Sequence, residues 1–143
     1  MHTTRLRSVS IAAVLATLAI VQAATAADGD FCGRPRGEPA ALEAEISKAP
    51  GFKEIHRGPE YVAYQEEATE AVFTFSLPAQ GPAHPAAICR KPVKDGDSIT
   101  LQMVIVCNGE IAACQSLESD FKLLNAQMEA AIRNEAGQTA DKK

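Results

Sequence analysis

Hydrophobic positions recur with two periods along this chain, and the change between them marks its main elements. Ile99, Leu101, Met103 and Ile105 alternate with polar or weakly apolar residues, the two-residue period of a half-buried strand. Beyond Cys107 and Cys114 the apolar residues are Leu117, Phe121, Leu124, Met128 and Ile132, at the spacing of a helix with one buried face. The pattern predicts a helix from Cys114 or Gln115 to Ala136, stopped by Gly137. Its stripe and the strand's apolar face are expected to cover each other. Glu118 with Lys122 and Glu129 with Arg133 have the i,i+4 order that supports such a helix.

Upstream, Pro39 opens a short helix with Leu42, Ile46 and Ala49 as its stripe, and Pro50-Gly51 ends it. Glu38 would sit at its positive end. Strands are expected over Phe52–His56, Tyr61–Glu66, Ala71–Leu77 and Ala86–Val93, separated by Gly58-Pro59, the polar turn 67–69 and the proline-rich loop Pro78–Pro85. In the third of these, Ala71, Phe73, Phe75 and Leu77 share one face. Val72, Thr74 and Ser76 are grouped with Thr100, Gln102, Val104 and Val106 as a mixed second face, open to a partner if nothing covers it. The fold class is α+β: an antiparallel sheet of four or five strands, the C-terminal helix on one face, and a short N-terminal helix at the edge or on the other face.

Asp95-Gly96 between two strand patterns favours a two-residue hairpin turn. That register pairs Lys94 with Asp97, Arg90 with Leu101 and Ile88 with Met103. It places Ala86 and Ile88 on the face of Met103 and Ile105, and Cys89 on the opposite face. Cys89 and Cys107 would then point apart, which disfavours a bond between them. The preferred disulfides are Cys107–Cys114, clamping the strand-to-helix turn, and Cys32–Cys89, pinning an extended leader 28–37 to the sheet. Cys32–Cys107 with Cys89–Cys114 stays open as the alternative.

The N-terminal pattern adds a compartment. Arg5 and Arg7 precede an apolar run from Val9 to Val21, followed by Ala24-Thr25-Ala26, as in a signal peptide cut near Ala26 or Ala27. Residues 1–27 are therefore expected to be removed, leaving one domain over 28–137 and a disordered polar tail over 138–143, with no membrane span. The protein would be periplasmic or extracellular, where four cysteines become two structural disulfides. Without Arg5 and Arg7, 12 basic residues face 18 acidic ones, a formal charge of −6. Nucleic acid is a poor partner for such a chain, and a basic protein a better one.

Candidate chemistry is sparse. His56 and His84 lie in different turns without ligand spacing, so no metal site is expected. Met103 beside a histidine would suit copper, but it holds a core position of its strand. Ser76, Ser98, Ser116 and Ser119 lack a nucleophile motif, and Glu66, Glu67 and Glu70 read as a solvated turn cluster. No cofactor motif and no catalytic residue is assigned.

Phe73-Thr-Phe75, His84-Pro-Ala, Cys89-Arg90 and the helix from Cys114 resemble small exported proteins of proteobacteria that carry no assigned function. The resemblance implies bacterial export and an α+β domain, and it transfers no catalytic residue. The reading is a non-enzymatic exported binding or cell-envelope protein. One alternative is an inhibitor of a basic exported enzyme such as a lysozyme, with Pro78–Pro85 as the inserting loop. The other is a small hydrolase or metal-dependent enzyme using His56 or His84 with Glu66 and Glu67.

Overall fold

The structure, a computed structural model, describes residues 30–96 and 98–140, with side chains described up to residue 135. The expected signal peptide and its cleavage site, Asp97 of the hairpin and the last three residues of the tail lie outside the described residues.

The elements run α1 (Pro39–Ile46), β1 (Phe52–Arg57), β2 (Tyr61–Glu66), β3 (Val72–Ser76), a 3-10 segment (Pro78–Ala83), β4 (Ala86–Asp95), β5 (Ser98–Cys107) and α2 (Ile111–Ala140). The five strands form one antiparallel sheet in the order β1-β2-β3-β4-β5, so each strand pairs with its neighbour in the chain. α2 packs on one face, while α1 and the leader cover the other. The disulfides are Cys32–Cys89 and Cys107–Cys114.

The larger core lies under α1. Phe31, Ile46, Phe73 and Phe75 are buried there, with Phe73 flanked by the rings of Phe31 at 5.7 Å and Phe52 at 5.5 Å. This corrects the facial grouping made from the sequence. Val72 and Thr74 pair with Arg90 and Ile88 and so face α2, whereas Phe73 pairs with Cys89, itself opposite Val104, on the α1 face. The error has a simple origin. The segment 78–85 between β3 and β4 winds into a 3-10 segment rather than a plain loop, and nothing in its composition fixes the parity of the strands it joins.

The leader is not extended either. Phe31 N–H donates to the Arg34 carbonyl at 2.8 Å and Gly33 N–H to the Asp30 carboxylate at 2.6 Å, closing a tight bend that drops Phe31, 0% exposed, into the core. Arg34 then stacks on Phe52, 4.7 Å from the ring centroid, and pairs with Glu45 at 2.6 Å.

The β4–β5 hairpin pairs Asp95 with Ser98, Arg90 with Met103 and Ile88 with Ile105. Each pairing is two residues from the expected one, because Gly96, at φ +59°, takes the first loop position and leaves Asp95 in the ladder. A shift of two keeps every side chain on its face, so the expected sharing of a face by Ile88, Met103 and Ile105 stands.

α2 begins at Ile111, a turn earlier than expected, because Gly109 lets the preceding turn lie directly on the 3-10 segment. Glu110 N–H donates to the Pro82 carbonyl at 2.7 Å, and any Cβ at position 109 would overlap that same carbonyl oxygen. At its other end the helix passes through Gly137 to Ala140, into the stretch read as a polar tail. Glycine weakens a helix interior without forbidding it. Glu118 pairs with Lys122 at 2.6 Å, but Glu129 accepts the Leu101 N–H at 2.6 Å instead of pairing with Arg133. β5 is an edge strand, and this carboxylate satisfies a backbone donor that no neighbouring strand takes.

Candidate functional site

α2 approaches its sheet face mainly over β5 and the 3-10 segment. Leu117 and Phe121 are buried, but Leu124 and Met128 of the same stripe remain 38% and 40% exposed. The uncovered remainder is a groove of about 430 Å³ between the flank of α2 and strands β1 to β3. Ala63, Val72 and Thr74 line it from the sheet, and Phe121 and Leu124 from the helix. A second groove of about 300 Å³ shares Val72 and Arg90 with it and extends to Pro92, Leu101 and Met128.

Local structure explains the first groove's walls. Pairing between β1 and β2 slips between Glu54 and His56, which leaves Ile55 as an extra residue. Such a bulge re-aims side chains, and here the successive residues Ile55 and His56 both border the groove. Tyr61 stands at one end, its ring 6.1 Å from Phe121 and its hydroxyl accepting from Gln80 Nε2 at 2.6 Å. Burial pushes the Tyr61 phenol above its ordinary value, an effect that the Gln80 hydrogen bond partly opposes and the Glu60 and Asp120 carboxylates reinforce.

Arg90 is the cation on the groove's sheet side. It continues the series Ala86, Ile88, Arg90 along β4, a charged residue at a position whose parity is that of the core. Its guanidinium carbon lies 5.5 Å from the Phe121 centroid, and Nη1 donates to Met128 Sδ at 3.3 Å. No carboxylate among the described residues pairs with it, and its buried Nε has no hydrogen-bond partner. Burial accordingly pulls the guanidinium below its ordinary value. It still carries its charge at neutral pH. Thr74, 6% exposed, also holds a hydroxyl oxygen without a partner. Among the described residues the third such buried atom is Asn125 Oδ1, on the helix between Phe121 and Met128 and outside the groove lining. Buried polar groups are usually paired, so unpaired ones bordering a groove point to a missing partner.

The residues singled out from sequence are dispersed. His56 borders the groove and is exposed. His84 lies at a different, smaller cavity beside Pro39 and Glu43. Its Nδ1 is 3.0 Å from the Ser76 carbonyl and 3.1 Å from Ser76 Oγ. A carbonyl only accepts, so the tautomer with a proton on Nδ1 is the one that satisfies the Ser76 carbonyl. Ser76 Oγ in turn accepts the Ala86 N–H at 2.7 Å. Glu66 accepts from Thr69 and lies 3.8 Å from Arg34, well apart in function from either histidine. Met103 packs with Leu117 and Phe121 in the core beneath α2. Among the described residues no three His, Cys, Asp or Glu side chains gather as a metal site would need. The 3-10 segment is held at Gln80, which donates to the Tyr61 hydroxyl, and at Pro82, whose carbonyl accepts the Glu110 N–H, while Pro78, Ala79, Gly81 and Pro82 remain exposed. No described helix is long and apolar enough to cross a membrane.

No family model, curated protein or solved structure matches this chain. The site therefore stands on its own geometry. Sequence reasoning singled out Val72 and Thr74 as part of a face that could be open to a partner, but passed over Arg90 and Tyr61. The readable signal was Arg90, an arginine at the same strand parity as the buried Ala86 and Ile88.

Proposed function

We propose that this chain is a non-enzymatic exported binding protein, periplasmic or extracellular, and that it holds a small amphipathic ligand in the groove between α2 and strands β1 to β3. The observation that carries this reading is an apolar groove bordered by a half-buried arginine without a carboxylate partner. Ligand sites are mostly apolar clefts of about 300–1,000 Å³ with a few placed polar groups, and this groove meets that description. Two disulfides fit an oxidising compartment, and the basic, apolar and small-residue succession before residue 28 supports export.

The test uses an uncharged fluorescent probe, N-phenyl-1-naphthylamine, with the oxidised mature protein. One saturable site is expected. Leu124→Trp puts an indole into the groove from an exposed helix position and should weaken the probe about tenfold while leaving the melting temperature nearly unchanged. Absence of saturable binding, or equal binding by the variant, sinks this reading.

A further inference from the structure

We propose that the ligand of this groove is a monocarboxylate amphiphile, its carboxylate held on the Arg90 guanidinium and its apolar body lying along Val72, Phe121 and Leu124. The inference rests on the binding-protein reading above and adds the chemical class.

Charge complementarity selects the headgroup. Among the described residues Arg90 is held by soft contacts, the Phe121 ring face and the Met128 sulfur. A guanidinium offers a planar fork of donors that a carboxylate meets with two parallel hydrogen bonds, and neither soft contact uses that fork fully. The Thr74 hydroxyl adds a donor on the neighbouring strand, because Val72 pairs with Arg90 and Thr74 with Ile88 in the same ladder. The hydroxyl is buried and has no hydrogen-bond partner, so engaging a ligand would cost it no existing bond.

The surrounding charges limit the headgroup to a single negative charge. Asp120 is the acidic residue on the lining of the first groove and Glu70 on that of the second, and Arg90 borders both grooves. His56 is the other basic group bordering the first groove and stands out on β1. A groove with one arginine and an acidic residue on its lining suits a monoanion better than a phosphate dianion, since the second charge would find no second fixed cation. The rest of the wall is aliphatic or aromatic, which calls for a hydrocarbon body rather than a sugar or a peptide backbone.

The experiment displaces the naphthylamine probe from the oxidised protein with dodecanoate, dodecanol and dodecyl phosphate, each below its micellar concentration. Dodecanoate is expected to bind at a single site, about tenfold or more tighter than dodecanol, the span of a charge-assisted hydrogen-bond pair. Dodecyl phosphate should bind more weakly than dodecanoate. In Arg90→Met the ratio of dodecanoate to dodecanol affinity, read by calorimetry without the probe, falls to about one. Arg90→Lys keeps the charge without the fork and should retain only part of the advantage. Equal binding of dodecanoate and dodecanol by the unaltered protein overturns the carboxylate assignment and leaves the groove as a binding site. Tighter dodecyl phosphate also overturns it, in favour of a dianion. If neither the probe nor any amphiphile binds, the binding-protein reading falls as well.

Discussion

Thr74 carries a buried hydroxyl oxygen with no partner. Removing an unpaired polar group forfeits no hydrogen bond, so Thr74→Val should leave the protein as stable as before, or up to about 1 kcal/mol more stable, in urea unfolding. A loss above about 1 kcal/mol would mean the hydroxyl is already satisfied. Tyr61 offers a second residue-level test. Burial is the largest influence on its phenol and raises its pKa. The neutral phenol is the favoured form, so its contribution to stability is complete below the unfolded value of about 10. That contribution is lost as pH rises through the higher folded value. Ultraviolet titration should show a phenol ionising late, together with an alkaline fall in stability, and Tyr61→Phe should remove both.

The disulfides do their work at the level of elements. Cys32–Cys89 spans 57 residues and joins the leader to β4, while Cys107–Cys114 spans 7 and joins β5 to the first turn of α2. Loop-closure entropy gives the long bridge about 4 kcal/mol and the short one about 2 kcal/mol. Paired alanine replacement at 32 and 89 should therefore lower the denaturant midpoint markedly more than replacement at 107 and 114. The positions of strands and helices were largely legible, because each carries its own period: alternation from Ile99 to Ile105, and three-or-four spacing from Leu117 onward. The side of the sheet on which β3 places its aromatics was not. Phe73 and Phe75 alternate cleanly with Val72 and Thr74, yet the pattern within one strand cannot say which set meets which helix. That choice belongs to the geometry of residues 78–85. Arg90 was passed over for a related reason: its place on a core-parity row gained meaning only once Phe121, Leu124 and Met128 stood near it.

Across the whole molecule the sheet separates two unequal cores. The one beneath α1 gathers most of the aromatic residues, and the one beneath α2 is smaller and leaves part of its sheet face open. The better-filled side suits a stabilising role and the open side a binding role. The same asymmetry orders events in time. A polypeptide emerges from the ribosome with its N-terminal end first. Phe31 and Cys32 are among the first of the domain's residues to appear, yet their partners Phe73 and Cys89 follow far behind. The start of the domain must therefore wait, exposed and unoxidised, until most of the sheet has arrived, whereas Cys107 and Cys114 can join as soon as both are out. The earliest residues to appear are among the last to be secured, and any chaperone or oxidase that attends this chain has its longest engagement with them.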